Sequence, residues 1–196
     1  MIRFELYNTM PLQKKGIVMY NNLSDIQVAA AEQYKPRLAS EDPPGWYTSE
    51  HPLNRCPGVT DYFRKGWLVR SFENVYGNVT MEETSAMGAF SPELSKGLQF
   101  AHGHLSRVFK LKLPYHIVSD VDTTLLFCDA TYHDTNRDGI RIFQGVIPLK
   151  KNKKIQLNPI FSVSEHYLEW AATNKNPVFR QGEIMMQLIE MRRAFD

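Results

Sequence analysis

The run Arg55–Val79, RCPGVTDYFRKGWLVRSFENVYGNV, constrains this chain most, because it holds a helix start, a helix stop and a strand in one short stretch. Pro57 suits a first helical turn, where its missing N–H has no partner to lose. Val59, Tyr62 and Phe63 recur at i, i+3 and i+4 and share one face. Lys65 complements a helix C-terminus, and Gly66 is expected in the left-handed conformation that closes the helix. Trp67, Val69 and Ser71 then alternate with Leu68 and Arg70, the period of a strand.

The rest of the chain divides around this run. Residues 1–196 suit a single domain, with a mixed strand and helix part over 1–98 and a mainly β part over 99–196. Ile2, Phe4 and Leu6 alternate with Arg3, Glu5 and Tyr7, a first strand with one buried face. Gly16–Tyr20 reads as a second short strand. Ser24 caps a helix over Ile26–Ala31 that Pro36 is expected to end. Residues 36–54, with Pro43-Pro44-Gly45 at their centre, form an irregular Pro-rich arm anchored by Trp46 and Tyr47. Ser91-Pro92-Glu93-Leu94 reads as a cap and short helix stopped at Gly97.

Beyond residue 99 the pattern is β. Val108, Leu111 and Leu113 near Pro114 mark a strand end or edge. TTLLFCDATY, 123–132, is a central strand by composition. Ile140–Pro148 is a strand expected to bend near Gly145, and Ile155, Leu157 and Ile160 suggest another. EHYLEWAA, 165–172, fits either a strand or one helical turn. Glu183–Met191 is apolar on both sides and is expected to be covered on both faces. The fold class is therefore α+β and β-dominated, a sandwich or jelly-roll-like barrel with a few short N-terminal helices and the arm.

Charge and composition exclude several function classes. A net charge of +2 lacks the strong basic excess of a nucleic-acid binder. The basic run Lys150, Lys151, Lys153, Lys154 reads as a solvated turn between strands. Cys56 and Cys128 have no disulfide or metal spacing and read as free thiols in a reducing compartment, Cys56 buried under Trp67. MIRFELYNTM has no long apolar core, so no signal peptide is expected, and no apolar run approaches the roughly 20 residues of a membrane span.

Few motifs carry chemistry. His102 and His104 would point to one side of a strand and could reach one metal, as in a cupin-like jelly-roll enzyme, but no Glu follows them closely. Asp120, Asp122, His133 and Asp134 could attract a hard cation, yet 119–123 also reads as a solvated turn. The loop from Asp134 fails as a calcium-binding hand, because its twelfth position is Gly145. Phosphate-binding glycine loops and nucleophile elbows are absent, and no cofactor is expected. Trp46, Tyr47 and Trp67 are the candidate binding aromatics, against a core role for the same rings.

Taken in order, Trp46-Tyr47, Arg55-Cys56-Pro57, Asp61, Gly66-Trp67 and the run from Gln181-Gly182 through Gln187 to Arg192-Arg193 resemble a family of uncharacterised proteins common in tailed-phage genomes. The family's C-terminal strand reads K-G-T-P-x-x-Q-x-I-P-x-x-R; its Gly, Gln and Arg have counterparts here, its Thr-Pro and later Pro do not. The resemblance implies a phage lineage and brings no catalytic residue. The expectation is a non-enzymatic structural or protein-interaction protein, a capsid, neck or tail accessory subunit of the virion, partnered by virion proteins or by itself as a homo-oligomer, in the virion or the host cytoplasm. A metal-dependent enzyme using His102 and His104, and an intracellular effector that binds a host protein, stand as the alternatives.

Overall fold

The computed structural model describes residues 1–6, 23–48, 50–76, 93–99, 105–111, 113–130, 133 and 139–191, with residues 54, 93–99 and 105–110 described by their backbone alone. The chain opens on strand β1 (Ile2–Leu6), whose Ile2 and Phe4 are buried as the alternation requires. Helix α1 (Asp25–Gln33) starts at a complete capping box: the Gln27 N–H donates to the Ser24 hydroxyl, and the Ser24 N–H donates to the Gln27 side chain. It ends at Tyr34, ahead of Pro36. The arm carries a two-residue strand, β2 (Arg37–Leu38), and two 3₁₀ turns at Ala39–Glu41 and Pro52–Arg55. Helix α2 (Pro57–Lys65) has Pro57 in its first turn and buries Val59 and Phe63. Strand β3 (Gly66–Arg70) follows without a linker.

The later elements are β4 (Glu93–Gln99), β5 (Leu105–Lys110), β6 (Tyr115–Ser119), β7 (Thr123–Cys128), β8 (Ile140–Ile142), β9 (Gly145–Leu149), β10 (Lys154–Gln156), β11 (Ile160–Ser164), α3 (Glu165–Thr173) and β12 (Ile184–Met191). The described strands form three antiparallel sheets, ordered β1-β6-β10, β4-β5-β11-β8 and β2-β3-β12-β7-β9. The fold is thus α+β and β-dominated, with a few short helices.

Two long segments tie two of the sheets together. Residues 115–128 carry β6 and then β7, while 145–156 carry β9 and then β10. Since β6 pairs with β10 and β7 with β9, the segments form one two-stranded ribbon that passes from the first sheet into the third. Its corner is Asp120–Asp122 opposite Lys150–Lys153. There the Lys151 N–H donates to the Asp122 carboxylate (2.7 Å), Lys150 Nζ pairs with the same group (2.9 Å), and the Asn152 N–H donates to the Ser119 carbonyl (2.8 Å). Both turns read from the sequence as solvated connections are found here, and the basic run is exposed.

One hydrophobic core serves all three sheets. Phe4 and Ile117 from the first, Ile142 and Phe161 from the second, and Val69, Leu125, Leu149, Met186 and Leu188 from the third belong to a single cluster, joined by Ala31 and Leu168 from helices. The buried Tyr115 hydroxyl donates to the Ala31 carbonyl at 2.8 Å and so ties α1 to β6. Strand β12 lies at the centre of the five-stranded sheet and buries Met185, Met186, Gln187 and Leu188 in succession, so this part is covered on both faces, whereas Met191 at its end is exposed.

Several local expectations are corrected. Residues 93–99 are a strand and not a short helix: the backbone pairs with β5, which overrides the local helix signals, and the register shifts between Ser95 and Leu98, where Gly97 lies. Gly66 is extended (φ −104°, ψ 142°) and does not close α2 in a left-handed turn, because its backbone already belongs to β3. Cys56 is exposed and not buried under Trp67, since Trp67 faces the main core on the far side of the sheet. Ile140–Pro148 is two strands in different sheets, divided at Phe143-Gln144. Residues 165–173 resolve the open choice as a helix, capped by the Ser164 hydroxyl. The strand expected at 16–20 lies outside the described residues.

Candidate functional site

The five-stranded sheet has two faces with different fates. Register places Trp67, Val69, Met186, Leu188, Leu125 and Phe127 on the face toward the main core. Leu68, Gln187 and Cys128 lie side by side on the other face, which α2 covers in part. Under α2 a second cluster gathers Ala39, Val59, Phe63, Leu68 and Ala130, with Trp46, Tyr47, Tyr62 and Ile184 packed against it.

Two of the three candidate binding aromatics meet in that second cluster. The Tyr47 ring lies 4.0 Å from the Phe63 ring, Trp46 meets Phe63 edge-on at 6.2 Å, and His51 tilts against Trp46 at 5.0 Å. The arm therefore docks on α2 through these rings, as aromatic anchors do. Trp67 is on the opposite face, edge-on to Phe4 at 6.2 Å. The three rings do not form one surface.

His102, His104 and Asp134 lie outside the described residues. Asp120 is paired with Arg3 (2.6 Å) and with the N-terminal amine (3.5 Å); the Arg3 hydrogen bond holds its carboxyl below the ordinary value. Asp122 holds the ribbon corner. The two aspartates thus turn to different cations, and among the described residues no three His, Cys, Asp or Glu side chains gather around a point fit for a metal ion.

His133 packs edge-on to Phe63 at 5.5 Å, and its buried Nε2 has no hydrogen-bond partner among the described residues. Burial lowers its pKa; Asp42 works against that shift and Arg70 adds to it. Cys128 is half-buried, and burial pushes its thiol up to about 11, so at neutral pH it is neither a thiolate nor a nucleophile. Its Sγ–H faces the Gln187 carbonyl at 3.6 Å.

A feature that sequence reasoning missed lies at the β2 edge. Arg70 Nη1 donates to the Gly182 carbonyl (2.6 Å), and its other terminal nitrogen pairs with Asp42. Beside this lock a cleft of about 310 Å³ is lined by Gln33, Tyr34, Lys35, Arg37, Asp42, Leu68 and Arg70. No local motif announces it, because its lining comes from three separate segments. Gly182, read only as a turn, adopts φ +81°, and a Cβ there would meet the Tyr34 ring at 3.0 Å.

Comparison with family models, with characterised proteins and with solved structures finds no match to this chain. No helix among the described residues is long and apolar enough to cross a membrane.

Proposed function

We propose that the chain is a phage-encoded protein that works by docking on other proteins, as an accessory subunit of the virion, and that its sheets pack as a sandwich or jelly-roll-like body. The resemblance in motif order supports the lineage. The observation that carries the docking role is the outer face of the five-stranded sheet.

Helix α2 packs over β2, β3 and β12. In register beyond it run Ile189, Leu126 and Val146, then Met191, Thr124 and Pro148. Val146 is 59% exposed and Met191 44%, Pro148 is exposed, and Leu126 and Ile189 are half-buried. An apolar patch across three adjacent strands is what a monomer in water avoids and an interface uses. β9 is the last described strand on its side of the sheet, and Pro148 has no N–H to offer along that edge, so the face and not the edge is the contact surface.

The test is cosedimentation of the protein with particles from an infected culture. Recovery in the particle fraction, lost on Val146→Glu, is the expected result. Recovery only as free protein removes the virion role, and capture of one host protein replaces it with the effector reading. Stoichiometric iron, zinc or manganese that is lost in His104→Ala replaces it with the metal-enzyme reading.

A further inference from the structure

We propose that the cleft at the β2 edge is a binding site for a small organic oxyanion, a phosphate monoester or a carboxylate, whose body rests on the Tyr34 ring. The site is independent of the docking face, which lies toward β9 at the other edge of the same sheet.

The charge balance of the lining is the first argument. Lys35, Arg37 and Arg70 face the cleft with one carboxylate, Asp42. Asp42 is engaged by Arg70, so that pair is internally compensated. Arg37 donates only to a neutral group, the Gln33 carbonyl at 3.3 Å, and has no carboxylate partner among the described residues. Lys35 touches Glu32 at a loose 3.5 Å. Two cations therefore border a concave space without a full complement of negative charge. A planar guanidinium in that setting suits a phosphate or carboxylate.

Preorganisation is the second. Arg70 is fixed between Asp42 and the Gly182 carbonyl, and Arg37 is held at the end of α1 by the Gln33 carbonyl, which also occupies one of the helix's open acceptors. Leu68 closes the bottom of the cleft but is itself packed in the cluster under α2, so the apolar surface open to a ligand is the Tyr34 ring. Tyr34 forms a wall where it lies over Gly182, a position at which any side chain would push the ring away. A cleft of about 310 Å³ lies at the small end of the range for ligand sites, which combine apolar walls with a few convergent polar groups.

Isothermal titration of the full chain with phenyl phosphate, benzoate and inorganic phosphate tests the site. Phenyl phosphate or benzoate is expected to bind saturably, more tightly than inorganic phosphate, because only the first two have a body for the Tyr34 ring. Arg37→Ala is expected to weaken that binding by about tenfold or more, and added salt to weaken it further. Lys35→Gln is the second variant and is expected to weaken it in the same direction; melting curves confirm that each variant is folded. The preferred probe separates a phosphate source from a carboxylate source. Three results overturn the proposal: no saturable binding by any probe, binding unchanged in both variants, or tighter binding of a pentaglutamate peptide, which would make the cleft a protein contact.

Discussion

The Gln187 carboxamide lies over the Cα of Gly66, in the space that a side chain at Gly66 would need, and its Nε2 donates to the Tyr62 carbonyl at 3.2 Å. A buried glutamine on the central strand thus reaches past the first residue of β3 to hold the last turn of α2. Position 66 has to be glycine for this reason, although its backbone is ordinary extended chain. Gly66→Ala drives a Cβ into Gln187 and to 2.8 Å from the Tyr62 carbonyl, and should cost about 1–3 kcal/mol. Urea unfolding measures this. In a Gly66→Ala, Gln187→Ala pair the two losses should combine to less than their sum, since the second change removes the side-chain part of the clash and leaves only the Tyr62 carbonyl.

The two cysteines should behave oppositely toward a thiol reagent. At neutral pH one equivalent should react in the folded protein, at exposed Cys56, and a second only after unfolding in urea. The same burial makes stability depend on alkaline pH. Burial, helped by the Asp129 charge, moves the Cys128 thiol from 9.0 up to about 11. Above pH 9 the unfolded chain releases that proton while the folded chain keeps it, so stability falls until about pH 11. Cys128→Ala should show a shallower fall over that window, measured by urea midpoints at successive pH values.

At the ribbon corner the backbone bond should outweigh the ion pair. Lys150→Ala removes one exposed partner of Asp122 and should change stability by less than about 0.5 kcal/mol. Asp122→Ala also strips the acceptor from the Lys151 N–H and should cost about 0.5–1.5 kcal/mol. Thermal melts of the two variants side by side decide the order.

On the outer sheet face, a charge should abolish association without unfolding the chain. Val146 is largely exposed, so Val146→Glu should shift stability by no more than about 0.5 kcal/mol. Cosedimentation with particles should be lost while the melting temperature stays. A large fall in melting temperature would show instead that the side chain packs within its own sheet.

What was readable in the sequence was local. The alternation in Ile2–Leu6, the cap at Ser24, Pro57 at a helix start and the two-sided apolar run of β12 each signal their element through nearby residues, and each is found. The misreadings share one cause. Gly97 and Gly66 both look like helix stops, but pairing with another strand claims the backbone around each of them, the next strand β5 for 93–99 and the distant β12 for Gly66. The cleft was hidden for the same reason: Tyr34, Arg37 and Arg70 meet only because β2 pairs with β3. Trp46 and Tyr47 were legible as anchors, but not which helix would receive them, and Trp67 could not be assigned to a face until its register with Leu188 was known.

The bent ribbon has a consequence for how the molecule comes apart. Residues 115–128 and 145–156 are each shared by two sheets, so amides on both sides of the corner, such as those of Ile117 and Leu125, should exchange with deuterium at one common opening energy. A protease nick inside either segment would cost both sheets at once. Melting of the first and third sheets should therefore register as one cooperative event, with neither surviving as a fragment.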